Sequence, residues 1–208
     1  VGSAVVMDVN TGAVLACATY PSYDLNTYYQ NYEALSKDKS SPLWNRALMS
    51  TYEPGSTMKP AIAAAGLEEG VITETSKFYC SHIYRQFTDT TFKCLGSHGW
   101  IDVKNALNQS CNIYFYETGR LLGINRMNDY CTRFGLGQKT GVEINESSGV
   151  LAGIAYREAH GGTWYPGDTV QAAIGQSDNL FTPIQLCSYV STIANGGTRY
   201  RAHFVKSV

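Results

Sequence analysis

The sequence contains no apolar run approaching the roughly 18 residues that a membrane span needs; its longest candidates, around residues 60–67 and 150–155, are far shorter. The first residues, Val1–Val9, lack the basic head of a secretory signal, so the chain reads as an excised piece of something longer whose targeting signal lies elsewhere. Charge of one sign is also missing. Sixteen basic and seventeen acidic side chains leave a formal net charge of −1, which excludes the electrostatic footprint of a nucleic-acid or anionic-membrane binder. Cysteine is sparse and scattered: six residues do not make a small disulfide scaffold, and they leave the redox compartment open, since an oxidising exterior permits disulfides while an anaerobe keeps thiols free. No repeat or low-complexity linker divides the chain, so residues 1–208 read as one domain.

What is present is globular. Apolar residues make up 44% and charged residues 16% of the sequence, and fifteen tyrosines suit a protein with a long polar–apolar boundary such as a substrate cleft. Ser3–Val9 and Ala13–Thr19 are apolar runs joined by Asn10-Thr11-Gly12, which predicts an antiparallel hairpin with Gly12 at positive φ. Residues 21–41 read as loop with one short helix, and 78–100 as irregular. Helical spacing is found in Ile101–Asn108 and Ile113–Leu122. Thr182-Pro183-Ile184-Gln185 is a capping box with proline at the first helical position, opening a helix that Gly196-Gly197 ends.

The chemistry begins at Pro54-Gly55-Ser56-Thr57-Met58-Lys59-Pro60, followed by an alanine-rich helix former that runs to Gly70. A turn delivers Ser56 to a helix N-terminus, where backbone N–H groups favour developing negative charge, and Lys59 follows one turn later on the same face. A desolvated lysine there can take the serine proton. The four-residue S-x-x-K string alone is equally compatible with an N-capping serine beside a solvated lysine.

The longer string settles the reading. Asn45-Arg46-Ala47-Leu48, continuing through Tyr52-Glu53-Pro54-Gly55-Ser56-Thr57-Met58-Lys59-Pro60, resembles the nucleophile segment of class B penicillin-binding proteins of the penicillin-binding protein 2 type. Asp8–Ala16 with Tyr20–Asp24 is similar to the first hairpin of that domain, and the resemblance continues through Gly123–Gly141 and Ala173–Gly197.

That family carries S-x-x-K, then S-x-N, then K-[TS]-G, in this order. Ser110-Cys111-Asn112, about 54 residues after Ser56 and between two predicted helices, fits the second motif. The resemblance implies that Ser110 passes protons and that Asn112 holds the substrate amide. Ser177-Asp178-Asn179 and Lys139-Thr140-Gly141 match by letters but in the wrong order, and read as a loop before a helix and as a structural turn. The K-T-G strand of the family is expected beyond Val208, so the domain is read as C-terminally truncated and the fragment as an incomplete enzyme.

Cys80, Cys94, His98 and Cys111 fall at C-x13-C-x3-H-x12-C, a possible tetrahedral zinc set that would brace the loop carrying Ser110 and Asn112. A Cys80–Cys94 disulfide and plain buried thiols are the competing readings. His82 is a weaker candidate ligand, and His160 and His203 read as surface residues.

The resemblance implies an α/β (α+β) fold, the serine β-lactamase/penicillin-binding-protein transpeptidase fold, with an antiparallel sheet packed with helices beside a helical lobe. It implies a D,D-transpeptidase that cross-links peptidoglycan stem peptides ending in D-Ala-D-Ala, without a cofactor for catalysis, and that is acylated by β-lactams. It further implies a membrane-embedded glycan polymerase as partner, no nucleic acid, and a location on the extracytoplasmic face of the membrane with an anchor outside this chain. A serine β-lactamase, a D,D-carboxypeptidase and a non-catalytic β-lactam sensor remain as alternatives.

Overall fold

The structure, a computed structural model, describes residues 1–207. Its elements, in chain order, are β1 (Gly2–Met7), β2 (Val14–Tyr20), α1 (Tyr28–Lys37), α2 (Arg46–Met49), α3 (Lys59–Glu68), β3 (Phe78–Cys80), β4 (Ile83–Tyr84), β5 (Phe92–Lys93), β6 (Gly99–Ile101), α4 (Val103–Asn108), α5 (Asn112–Leu122), α6 (Ile124–Arg133), α7 (Ile154–Ala159), α8 (Pro166–Ala173) and α9 (Pro183–Ala194). No helix among the described residues is long and apolar enough to cross a membrane. Contacts divide the chain into two compact units.

The first unit holds residues 1–52, 134–149 and those from 181 onward. The predicted hairpin is there: β1 and β2 pair antiparallel from Gly2↔Tyr20 to Met7↔Val14, with a register shift between Val6 and Met7. Gly12 takes φ +80° and its N–H donates to Asp8 O at 2.9 Å, closing the turn. Met7, Leu48, Val142, Ile184 and Ala202 form the buried core, with Val5, Val14 and Met49 packed against it. α9 begins as its capping box predicts: Thr182 N–H donates to Gln185 Oε1 at 2.8 Å and Gln185 N–H to Thr182 Oγ1 at 3.3 Å.

The second unit holds residues 53–133 and 150–180. α3 is apolar on every side, as a helix through a core must be, and buries Ala61, Ile62, Ala63, Ala65 and Gly66. α5 packs against both α3 and α8. Its Gly119 faces Ala173 at a distance that leaves no room for a side-chain carbon. The segment predicted as irregular contains two short antiparallel ladders, β3 with β6 and β4 with β5. The helix predicted from Ile101 begins instead at Val103, because Ile101 pairs with Phe78 and Asp102 caps the helix by accepting from Asn105 N–H at 2.9 Å. The short helices α6, α7 and α8 were not marked in the sequence as separate elements.

Candidate active site

Ser56 lies in a single 3-10 turn, Gly55–Met58, that leads into α3. Gly55 adopts φ +54° and its N–H donates to Gly175 O at 2.9 Å, which ties the turn to the segment after α8. Ser56 is exposed and Lys59 is 1% exposed, so the hydroxyl meets solvent while the amine behind it does not.

Ser110 and Asn112 come from the break between α4 and α5. Cys111 N–H donates to Ala106 O at 2.9 Å and Ser110 N–H to Leu107 O at 3.2 Å, the hydrogen-bond pair of a Schellman terminus. The left-handed position of such a terminus usually holds glycine; here it is Ser110, at φ +52°. A residue with a side chain in that region costs about 1–3 kcal/mol, and sites that accept the cost cluster where a side chain must point in a set direction.

The three motif residues converge on the lysine. Lys59 Nζ donates to Ser110 O at 2.8 Å, Ser110 Oγ at 3.0 Å and Asn112 Oδ1 at 2.7 Å, which uses all three ammonium protons. The Ser110 hydroxyl donates to Ser56 Oγ at 2.8 Å. Burial lowers the Lys59 pKa to about 8, and the nearby Cys94 and Cys111 side chains work in the opposite direction. The S-x-x-K motif alone suggested that Lys59 takes the Ser56 proton directly, whereas the family resemblance implied that Ser110 passes it. The hydrogen bonds run through Ser110 Oγ, and hydroxyls can reverse donor and acceptor roles. The arrangement can therefore supply a serine nucleophile and a path for its proton to a poised amine.

Behind this loop Cys80, Cys94, His98 and Cys111 bring their ligand atoms within 4.8 Å of one another. A tetrahedral zinc, with bonds of about 2.3 Å to sulfur and 2.0–2.1 Å to nitrogen, sets two sulfurs about 3.8 Å apart and a sulfur and a nitrogen about 3.6 Å apart. Here Cys94 and Cys111 Sγ are 4.0 Å apart, and His98 Nδ1 is 3.4 Å from Cys80 Sγ and 3.7 Å from Cys94 Sγ. The donor set fits the ion in type and spacing. All six cysteines are free thiols, so Cys80 and Cys94 are not bonded to each other. Burial pushes Cys111 up to about 12; on Cys94 burial also raises the pKa, but backbone N–H donors from residues 96, 112 and 113 outweigh it and hold the thiol below its ordinary value. His82 is half-buried and takes φ +74°, its carbonyl accepting from Cys94 N–H at 2.8 Å. His160 is exposed and His203 half-buried.

The two letter matches are occupied elsewhere. Thr140 N–H, Thr140 Oγ1 and Gly141 N–H all donate to the buried Glu146 carboxylate at 2.7–3.0 Å, while Lys139 is exposed. Asn179, 1% exposed, accepts from Ala152 N–H at 3.0 Å and donates to Ala172 O at 3.2 Å. Arg157 holds Asp178 at 2.6 Å and Ser177 Oγ at 3.1 Å. Sequence reasoning did not single out Gly55 with Gly175, or Lys93, whose carbonyl accepts from Asn112 Nδ2 at 3.2 Å; a glycine before a nucleophile was the visible signal for the first, and nothing marked the second.

An exposed serine joined through a second hydroxyl to a buried lysine places the chain among serine acyl-transfer folds. Over residues 2–208 it matches the family described as the penicillin binding protein transpeptidase domain, and it belongs to that family. A peptidoglycan D,D-transpeptidase MrdA from Salmonella typhimurium is 35% identical across 96% of this chain and 34% of its own length. The crystal structure of Pseudomonas aeruginosa PBP2 in complex with WCK 5153 superposes with a TM-score of 0.93 at 36% identity, covering 99% of this chain and 49% of that one. The imipenem acyl-enzyme complex of penicillin-binding protein A from M. tuberculosis gives 0.82 at 26% identity, covering 97% and 48%. The fold class expected from the sequence is thereby borne out. The chain spans about a third of the length of the curated relatives it matches.

Proposed function

We propose that this chain carries the acylation half-site of a peptidoglycan D,D-transpeptidase, with Ser56 as nucleophile. The observation that carries the reading is the continuous hydrogen-bonded line from Ser56 Oγ through Ser110 Oγ to Lys59 Nζ, inside a domain of the transpeptidase family. Ser56 attacks the carbonyl of the D-Ala-D-Ala peptide bond as its proton moves through Ser110 to neutral Lys59. The Ser56 backbone N–H supplies one oxyanion donor. The intermediate collapses, D-alanine leaves with a proton returned along the same line, and an amine from a neighbouring stem peptide resolves the acyl-enzyme. Asn112 positions the substrate amide with its carboxamide, which Lys59 and Lys93 O orient. β-Lactams acylate the same hydroxyl because they mimic the dipeptide, and the acyl-enzyme named for the M. tuberculosis relative supports this. Stem peptides lie outside the cytoplasmic membrane, so the site would work at the extracytoplasmic face, beside a glycan polymerase that supplies the strands.

The cysteine–histidine cluster would hold one structural zinc through Cys80, Cys94, His98 and Cys111. Such an ion would fix the loop from behind, since Cys111 sits between Ser110 and Asn112 and Asn112 N–H donates to Cys94 Sγ at 3.2 Å. The reacting groups need no metal of their own.

Intact mass spectrometry of the full-length gene product after incubation with penicillin tests the function. A stable one-to-one adduct, absent in Ser56→Ala, is the expected result. Rapid release of hydrolysed penicillin would move the reading to a β-lactamase, and no adduct at all would overturn it.

A further inference from the structure

Three of the four donors behind the catalytic loop are thiols, which gives the cluster a chemistry that carboxylate or imidazole ligands would lack. Cys94 and Cys111 Sγ are 4.0 Å apart, and a disulfide needs about 2 Å. Both sulfurs are coupled to the catalytic loop. Cys111 is the residue between Ser110 and Asn112, and Cys94 Sγ accepts the Asn112 N–H. Cys80 adjoins the same pair: its side chain hydrogen-bonds to both Cys94 and Cys111, and its sulfur also meets Gly96 O and His98 Nδ1, each at 3.4 Å. Of the remaining thiols, Cys131 is buried apart from this cluster, and Cys17 and Cys187 belong to the other unit of the chain.

We propose that Cys94 and Cys111 are a reversible modification site: hydrogen peroxide links them into a disulfide that disarms Ser56. The proposal rests on the acyl-transfer reading given above. One thiolate sulfur attacks a peroxide oxygen; an S–O bond forms, the O–O bond breaks, and hydroxide leaves to become water with the proton the thiol gave up. The second thiol then attacks that sulfur; the S–S bond forms, the S–O bond breaks, and a second water leaves. Two thiols and one peroxide become one disulfide and two waters, the two electrons passing from sulfur to peroxide. An ion held by the cluster loses two of its four donors and is released. His98 is the least buried of the four residues, so the cluster is nearest solvent on its side.

The consequence for the site is geometric. Closing a 4.0 Å gap to about 2 Å draws the sulfurs of residues 94 and 111 together and displaces Cys94 Sγ, the acceptor of the Asn112 N–H. Lys59 donates to three atoms, all on Ser110 and Asn112, so a shift of that loop alters these three hydrogen bonds of the amine at once. A misplacement of about 1 Å at a reacting centre costs on the order of a hundredfold in rate, which sets the scale of the expected loss.

The test uses the full-length gene product, reduced and then treated with hydrogen peroxide. Peptide mapping seeks the Cys94–Cys111 cross-link, a colorimetric chelator follows released zinc, and a fluorescent penicillin reports the acylation rate. Expected are a cross-linked peptide and a fall in acylation of roughly a hundredfold, with dithiothreitol removing the cross-link and restoring acylation. The double variant C17S/C187S should respond in the same way as the wild type. Acylation that persists in cross-linked protein, or acylation lost without this cross-link, overturns the switch alone. Failure of the reduced protein to be acylated overturns the functional reading, and the switch with it, whatever the peptide map shows.

Discussion

Gly55 and Gly175 meet backbone to backbone: Gly55 N–H donates to Gly175 O at 2.9 Å, and a β-carbon on Gly175 would collide with the Gly55 peptide. Gly175 takes φ +73° as the left-handed residue that ends α8, so two constraints fall on one position. The turn that presents Ser56 is thus held from outside α3, by a residue more than a hundred positions away in the chain.

Gly175→Ala should therefore hurt twice. The strained φ and the overlap together should cost about 1–3 kcal/mol of stability, read as a lower denaturation midpoint. The penicillin acylation rate of the folded fraction should fall as well, because the 3-10 turn moves with Gly55. Unchanged acylation by a destabilised protein would confine the contact to a structural role.

The pH dependence of acylation follows from Lys59. Its pKa is lowered to about 8, and the proposed base is the neutral amine, so the rate should climb about tenfold per unit below pH 8 and level off above it. Lys59→Arg keeps a cation that cannot be deprotonated in this range and should remove the climb along with most of the rate. Stopped-flow acylation from pH 6 to 10 measures both.

Lys139→Ala provides the contrast. Lys139 is an exposed side chain beside a turn held by Glu146, and its removal should leave acylation within about twofold. Lys59→Ala should lose roughly a hundredfold to ten-thousandfold, the usual span for a general base. Equal losses in the two variants would reverse the assignment of the motifs.

Elemental analysis should find about one zinc per chain. Removing it with a strong chelator should lower the melting temperature by about 2–4 °C for each kcal/mol lost, and should slow acylation as the loop behind Ser110 loosens. Protein that carries no zinc yet acylates at full rate would reduce the cluster to packed thiols.

Much of this site is legible in the sequence, and the reasons differ residue by residue. Ser56 and Lys59 are local: three positions along one helical turn fix their separation, and proline and glycine announce the turn. Ser110 and Asn112 were legible through motif order and resemblance, not through spacing. A proton-passing Ser110 came with that resemblance, but the backbone geometry that allows it did not, because it depends on Ser110 adopting φ +52°, a conformation that sequence assigns to glycine. The four short strands between Phe78 and Ile101 were missed because two- and three-residue ladders carry no period-2 signal. The zinc-like spacing of Cys80, Cys94, His98 and Cys111 did not show that they meet; in the fold their donor atoms lie within 4.8 Å of one another, three of the pairs at 3.4–4.0 Å.

The small residues at the helix contacts have a thermal consequence. Gly119 admits Ala173 and Gly66 admits Thr118, so α5 is locked at close range to α8 on one side and to α3 on the other. Lys59 opens α3 and Asn112, whose Oδ1 accepts from the lysine amine, opens α5, so the amine and one of its acceptors belong to one cooperative block. On warming, such a block has few partly opened states in which the amine and its acceptors separate while the helices survive. Amide protons of α3 and α5 should exchange with the same opening energy, and the capacity to bind penicillin should vanish in that single step.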